Sequence, residues 1–209
     1  MSKEPVGIAL PKVGMEPLRR RQLIDAAIAT LRRYGWPDTT VVRIGAEAGL
    51  SPAIIHHYFK SKDDLLAAAM RWILVELRTE VVGRLKRANS PRARLQAVID
   101  GSFAPSQFRP EIRAAWLAFW AQAPFAPVLD RLRRLYIARL RSTLIADLRR
   151  LLPGGQVEDA ALALASMIDG LFLRAASGDP MVTPEAACAL ATEHLDHRLA
   201  CAASSKKGS

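Results

Sequence analysis

Hydrophobic residues recur three and four positions apart along most of the chain, and no run of alternating apolar and polar residues is bounded by turns. The first spacing puts apolar side chains on one face of an α-helix, whereas alternation is typical of a half-buried strand. Proline, glycine or serine separates the periodic segments. The pattern therefore predicts an all-α protein in which helices dominate from Pro17 onward.

The first sixty residues predict three helices, at about 17–34, 40–48 and 51–59. Gly35 ends the first helix, and Gly49 permits a sharp turn between the second and the third. Two short helices joined by such a turn match the helix-turn-helix, whose second helix enters the major groove of DNA. A short helical hairpin in an ordinary helical core has the same pattern, so the motif alone leaves both interpretations open.

Longer helices are predicted after the motif, each bracketed by proline, glycine or serine. They lie at about 63–87, 90–103, 110–123, 127–152, 157–177 and 183–200. We accordingly expect two domains, at 16–62 and 63–201. The flanking segments, 1–15 and 202–209, lack a periodic set of core-forming residues and are expected to be mobile.

Composition and charge narrow the class of protein. Half of the 209 residues are hydrophobic, which is enough for a small DNA-binding unit and a second domain with its own core. The net charge is +10, and the first 62 residues carry half of it, which favours a polyanionic partner such as nucleic acid. No apolar run resembles a signal peptide or approaches the roughly 20 residues of a membrane span. Cys188 and Cys201 do not have the spacing of a disulfide framework or a metal site. We therefore expect a cytoplasmic protein that binds neither a membrane nor a metal ion, and we expect no cofactor.

Two resemblances sharpen this prediction. The run Gly49-Leu-Ser-Pro-Ala-Ile-Ile-His-His-Tyr-Phe-Lys-Ser-Lys-Asp-Asp-Leu-Leu66 resembles the DNA-binding domain of TetR-type repressors, a likeness that covers residues 18–70. The BetI-type branch of that family is similar over residues 11–200, whereas residues 1–10 depart from it as an extension. The similar runs are Pro11-Lys-Val-Gly-Met15, Arg19-Arg-Arg-Gln-Leu-Ile-Asp-Ala26, Ala115-Trp-Leu-Ala-Phe-Trp-Ala121 and Ile168-Asp-Gly-Leu-Phe-Leu-Arg-Ala175.

The resemblance implies a repressor of choline uptake and glycine betaine synthesis genes, a system of osmoprotection, that responds to choline. It also implies that residues 63–201 form a ligand-binding and dimerisation domain. The predicted helices 127–152 and 157–177 are long and apolar on one face, and in the family the last two long helices form a four-helix interface. A homodimer would read a palindromic operator, because twofold symmetry places two recognition helices on related half-sites.

The outward face of the predicted recognition helix is small and carries histidines, which suits close approach and hydrogen bonds to base edges or phosphates. Residues at its far end and on the preceding helix suit phosphate contacts. The predicted DNA-contacting set is Thr40, Arg43, Ser51, Pro52, Ala53, His56, His57, Tyr58 and Lys62. The resemblance implies the same set apart from Thr40 and His57. For the two histidines, a solvated surface position is the alternative.

An aromatic face in the second domain is the candidate sensor. Trp116, Phe119 and Trp120 are spaced so that one helical face presents three rings. The pattern alone favours ordinary core packing. The resemblance favours a ligand cage, because the quaternary ammonium of choline donates no hydrogen bond and is held best against aromatic faces.

Asp169 lies in an apolar run, where an ionised carboxylate is costly to bury without a partner. A bound cation would be such a partner, and an ion pair with Arg174 or Arg113 is the alternative. Further candidates for the lining, or for the core, are Met167, Phe172 and Tyr136.

Three other functions remain open at this point. The first is a TetR-type repressor with another effector, such as a lipophilic or multidrug cation. The second is a metal-dependent enzyme, for which His194 and His197 could share a helix face, although no third ligand or catalytic motif is evident. The third is a structural DNA binder of the nucleoid type, which would bind all sequences with strong salt dependence.

Overall fold

Nine α-helices and one short 3₁₀ turn account for the regular structure of residues 15–207, the part of the chain described by this computed structural model. The helices are α1 Met15–Asp38, α2 Val41–Ala48, α3 Pro52–Tyr58, α4 Lys62–Leu85, α5 Pro91–Ser102, α6 Pro110–Gln122, α7 Pro127–Leu148, α8 Gly154–Ala176 and α9 Pro184–Lys207. The predicted all-α fold is confirmed. In this described part, no helix combines the length and apolar character needed to cross a membrane.

The amino-terminal helices close around their own small core. Leu23 and Ala27 of α1, Ile44 of α2 and Ile55 of α3 are buried together, with Leu65 from the start of α4. The regular path of α1 breaks at the glycine predicted to end it, Gly35, whose φ of 70° is in the left-handed region.

A second core joins the amino-terminal helices to the rest of the molecule. Ile28 and Leu31 of α1 pack in one cluster with Met70 of α4 and with Ile112 and Phe119 of α6. Helix α6 therefore contacts α1 directly, in addition to the covalent path through α4. The third core lies among α5, α7, α8 and α9.

Two predicted helix ends are wrong. Helix α7 was predicted to extend to residue 152, but it ends at Leu148 and a turn follows. Leu152 is buried in that turn, so its hydrophobic side chain indicated a core position and not a further helical turn. Helix α9 continues to Lys207, past the predicted end near residue 200 and into the segment expected to be mobile. Ala202 packs into the third core, and alanine has the highest helix propensity. The last two long helices are thus α8 and α9, and residues 1–14 and 208–209 lie outside the described residues.

Candidate nucleic-acid interface and ligand cavity

Helices α2 and α3 are joined by a tight glycine turn. The hydroxyl of Thr40 accepts a hydrogen bond from the backbone N–H of Arg43 at 3.2 Å, which caps α2. Gly49 ends α2 with φ 64° and ψ 32°. The backbone N–H of Leu50 donates to the Gly45 carbonyl at 2.8 Å, and a Cβ at Gly45 would lie 2.6 Å from the Leu50 carbonyl oxygen. The close packing of the turn residue Leu50 against α2 therefore requires glycine at position 45, and no sequence signal marked this requirement.

One face of α3 is anchored and the other is free. Ile55 and Phe59 are buried in the amino-terminal core, and Leu50 is half-buried, as predicted. The hydroxyl of Ser51 makes no capping hydrogen bond at the start of α3. The predicted base-facing side chains are all exposed, and they are Ser51, Pro52, Ala53, His56 and His57.

The predicted phosphate-binding residues flank this face. The Arg43 guanidinium lies 4.3 Å from the centroid of the Tyr34 ring and donates to the Asp38 carbonyl at 2.6 Å. Tyr58 is half-buried, and Lys62 is half-buried with its Nζ 6.0 Å from the Trp36 ring. These contacts orient cationic groups beside α3. Apart from the partly buried Tyr58 and Lys62, the predicted DNA-contacting side chains are exposed to solvent, and their contact with DNA stays a prediction.

Aromatic rings surround a small internal cavity in the second domain. Trp116 and Trp120 of α6, Tyr136 of α7 and Phe172 of α8, the aromatic cage, line a space of about 20 Å³. The centroid of the Trp116 ring is 5.2 Å from that of Tyr136 and 5.8 Å from that of Phe172. The Trp120 and Tyr136 centroids are 6.2 Å apart. Asp169 lines the same cavity and is its only carboxylate among the described residues.

The Asp169 carboxylate is held by one aromatic neighbour. The Tyr136 hydroxyl donates to Asp169 Oδ1 at 2.6 Å. Burial raises the pKa of Asp169 from 3.8 to about 6, and the hydrogen bond from Tyr136 opposes that rise. Burial and the adjacent carboxylate raise the pKa of the Tyr136 phenol well above its usual value. Near neutral pH the cavity wall therefore carries a negative charge with no cationic partner in the described structure.

Gln107 supplies a further polar group to the cavity wall. Its side chain is completely buried, and its Oε1 accepts a hydrogen bond from Trp116 Nε1 at 3.5 Å. Its Nε2 has no hydrogen-bond partner within the described structure. A buried donor without a partner costs free energy unless a ligand or water accepts from it. No sequence signal marked Gln107, which lies in the irregular segment between α5 and α6.

Several candidate sensor residues have other positions. Phe119 is fully buried behind the two indoles and does not line the cavity, although its ring packs against both. Met167 packs against the third core instead. The ion-pair alternative for Asp169 is wrong: Arg174 pairs with Asp179 at 2.6 Å, and Arg113 donates to the Ala175 carbonyl at 2.8 Å. Tyr136 and Phe172 do line the cavity.

Comparison with known proteins decides the family. The model of the bacterial regulatory proteins of the tetR family matches residues 23–69, and the model of the carboxy-terminal domain of BetI-type transcriptional repressors matches residues 91–200. The chain belongs to the TetR family. Its second domain is of the BetI type, so this TetR-family member is a helix-turn-helix transcriptional repressor and not an enzyme.

Individual relatives agree with the family models. The transcriptional regulator BetI of Cronobacter sakazakii is 47% identical over 201 residues, which are 95% of this TetR-family chain and 99% of the relative. A Pseudomonas aeruginosa PAO1 protein described as a transcriptional regulator superposes with a TM-score of 0.78 at 29% identity, over 88% of this chain and 91% of that one. A Saccharomonospora viridis protein solved in complex with choline has a TM-score of 0.74 at 21% identity, over 87% and 97% of the two chains, and shares the fold.

Family membership also bears on the metal-enzyme alternative. Among the residues that the structure describes, no three His, Cys, Asp or Glu side chains are clustered so that they could hold a metal ion. His197 instead lies 3.6 Å from Cys201 on the surface of α9. His197 is exposed, whereas His194 is half-buried and its Nε2 is buried without a hydrogen-bond partner among the described residues, so the two do not form a shared metal-binding face.

Proposed function

We propose that this TetR-family repressor is a homodimer that binds a palindromic operator at choline uptake and glycine betaine synthesis genes and changes its operator affinity when choline binds. The observation that carries the ligand assignment is the aromatic cage with Asp169 in its wall. This combination of groups has the chemistry that a quaternary ammonium requires.

Each part of the cavity matches a part of choline. Indole and phenol faces attract a trimethylammonium group, each contact contributing ~0.5–2 kcal/mol. The ionised Asp169 carboxylate neutralises the cation, which removes the cost of burying either charge alone. The unpartnered Nε2 of Gln107 is a donor for the choline hydroxyl.

Choline binding must also enlarge the cavity. A space of about 20 Å³ accommodates roughly one water molecule, so the rings must separate before choline can enter. Trp116 and Trp120 belong to α6, which packs on Ile28 and Leu31 of α1. A shift of α6 would therefore reach the DNA-binding helices through a continuous buried contact, and a ligand that favours the open cavity would change operator affinity.

The proposed operator contacts divide by chemistry. Ser51, Pro52, Ala53 and His56 face the bases, and the Ser51 hydroxyl is available because it does not cap α3. The exposed His57 belongs to the same base-facing set, whereas Thr40, Arg43, Tyr58 and Lys62 are proposed to contact phosphates.

The homodimer is proposed to form through α8 and α9. Large apolar side chains remain exposed on both helices, including Leu162 of α8 and Leu190 of α9, which are 63% and 44% exposed. Burying such side chains against a twofold-related copy is favourable and would set the two recognition helices on half-sites about 34–36 Å apart.

The decisive experiment combines calorimetry with a gel-shift assay on the DNA upstream of this gene. We expect heat on titration with choline, a choline-dependent change in operator affinity, and strong preference over unrelated DNA. Trp120→Ala should abolish the heat, whereas Leu117→Ala, on the exposed side of the same helix, should leave it unchanged. A tighter response to a lipophilic cation than to choline would reassign the effector, and equal binding to all DNA would contradict the repressor mechanism.

A further inference from the structure

A second and larger cavity lies on the outside of the ligand domain. It is an open groove of about 390 Å³ between α4, α5 and α7, here called the basic groove. This volume is within the range of ~300–1,000 Å³ typical of small-molecule sites. Its floor is apolar and includes Leu74, Val81, Val98, Leu132 and Leu140.

Three arginines line the same groove. They are Arg71 and Arg78 of α4, two helical turns apart, and Arg139 of α7. Arg71 lies 3.9 Å from Asp64, whereas no hydrogen bond or ion pair engages the guanidinium of Arg78 or Arg139 in the described structure.

The neighbouring arginines of α7 make this arrangement distinctive. Arg133 and Arg134 pair with Asp130, and Arg141 pairs with Glu158 of α8. None of the residues that line the basic groove is acidic. The groove therefore combines apolar surface with positive charge that the described part of the protein leaves uncompensated.

We propose that the basic groove binds an amphipathic anion, an alkyl chain that ends in a carboxylate. The chain would lie on the leucine and valine floor, which burial from water favours. The carboxylate would accept charge-assisted hydrogen bonds from Arg78 and Arg139, since the guanidinium fork matches a carboxylate. This inference does not depend on the choline assignment.

Two other occupants fit the groove less well. A quaternary ammonium would meet three guanidiniums and no carboxylate, so the groove repels the cation that the aromatic cage attracts. A second copy of the chain docked by a twofold axis would place the same patch against itself, because isologous contacts are self-complementary. Arginines would then face arginines.

The position of the groove gives its occupant a route to both functional regions. Leu77, Ser102 and Tyr136 line the basic groove on one side and the cage cavity on the other. Tyr136 donates to Asp169, so a chain pressed against its ring would affect the cavity wall. Helix α4 carries much of the groove and begins at Lys62, immediately after α3.

Calorimetry on the full chain tests the proposal with two amphiphiles of equal chain length. Decanoate should bind, and in competition titrations decyltrimethylammonium should occupy the decanoate site at least about tenfold more weakly because its head group is cationic, whether or not it also binds in the aromatic cage. The double variant Arg78→Gln/Arg139→Gln should reduce decanoate affinity at least about tenfold. Arg131→Gln, an exposed arginine of α7 outside the groove, is the matched control and should bind like the parent.

A variant of the apolar wall gives an independent readout. Leu135 is 43% exposed, so Leu135→Glu should fold normally while placing a carboxylate in the groove and weakening decanoate binding. Thermal unfolding curves verify that each variant is folded. Equal affinity of the two amphiphiles for the decanoate site, or unchanged decanoate affinity in the double arginine variant, would overturn the proposal, as would absence of decanoate binding to the parent protein.

Discussion

Asp169, Tyr136 and Gln107 are the three polar side chains on which the chemistry of the aromatic cage depends. Within the described residues, the Asp169 carboxylate is largely buried without a cation, with only the Tyr136 phenol donating to it, and the Gln107 amide donor is buried without an acceptor. Buried polar groups of this kind lower stability unless they are satisfied. Their retention at one cavity is consistent with a ligand that supplies a positive charge and an acceptor.

The raised pKa of Asp169 predicts a pH dependence of stability. Its folded pKa of about 6 exceeds the unfolded value of 3.8, so between these values the folded state holds more protons and stability falls as pH rises. The loss is complete above pH 6 and amounts to at most about 3 kcal/mol. Asp169→Asn, neutral at every pH, should therefore be more stable than the parent at pH 7.5 but not at pH 4. Urea unfolding of both proteins at the two pH values checks this prediction. An equal change in the free energy of unfolding at the two pH values would contradict it.

Gln107 predicts discrimination between choline and cations that lack its hydroxyl. Gln107→Met keeps the length of the side chain and removes the amide donor. Choline affinity should fall about fivefold, the value of one hydrogen bond of roughly 1 kcal/mol, while tetramethylammonium affinity should stay the same. Titration calorimetry with choline and with tetramethylammonium measures how much the substitution changes the affinity for each ligand. Equal loss for both would mean that Gln107 only shapes the cavity.

The sequence predicted some of the residues that line the aromatic cage and missed others. The spacing of Trp116 and Trp120 placed both on one helical face, and both line the cavity. Phe119 fits the same face by spacing, yet it lies behind the indoles, because neighbouring helices decide which rings meet the cavity. Gln107 gave no signal, since its burial depends on how the segment between α5 and α6 folds over α6.

The α2–turn–α3 unit shows how elements set the DNA-binding geometry. Thr40, Ser61 and Ser90 each cap the following helix through their hydroxyls, and all three helix starts were predictable from these residues. The way the turn packs between α2 and α3 was not predictable from the sequence. It depends on a backbone contact between Gly45 and Leu50, and a periodic pattern of hydrophobic residues does not reveal backbone contacts.

Replacement of Gly45 should separate the two helices. Gly45→Ala brings a Cβ to within 2.6 Å of the Leu50 carbonyl oxygen, and relief of that clash should cost about 1–3 kcal/mol of stability and weaken operator binding. Gly83→Ala, in the last turn of α4, is the matched control, because no atom lies within 4 Å of its added Cβ. That variant should gain roughly 0.5–1 kcal/mol. Urea unfolding measures the stability of both variants, and gel shifts measure their operator affinity. Normal operator binding by Gly45→Ala would contradict the proposed role of this glycine.

The two sides of α3 should differ in their effect on sequence preference. Lys62→Ala should weaken binding to all DNA sequences and reduce the salt dependence, because a phosphate contact carries no base information. His56→Ala should instead change the preference among operator variants. Binding to a set of single-base operator variants at two salt concentrations separates these outcomes. A uniform loss from both substitutions would refute the division.

At the scale of the whole molecule, the cavity aromatics share one core with α1, and α1 in turn packs on α2 and α3 in the amino-terminal core. Helix order and approximate bounds followed from caps and periodicity, but the packing of α6 on α1 did not, because sequence periodicity identifies an apolar face without identifying its partner. Because Trp116, Ile28 and Leu31 pack in one cluster, the proposed expansion around Trp116 would displace Ile28 and Leu31. The coupling proposed here is therefore a property of tertiary structure.

The proposed dimerisation through α8 and α9 is open to direct test. Leu162 is 63% exposed on α8, so Leu162→Asp should leave the monomer folded while placing a carboxylate in the proposed interface. We expect light scattering to show monomers and the gel-shift affinity to fall by at least about tenfold, because one recognition helix reads only a half-site. Leu117→Asp, on the exposed side of α6, should remain dimeric and bind normally. A dimeric Leu162→Asp with full operator affinity would place the interface elsewhere, whereas a monomer with full affinity would show that a single chain suffices to hold the operator.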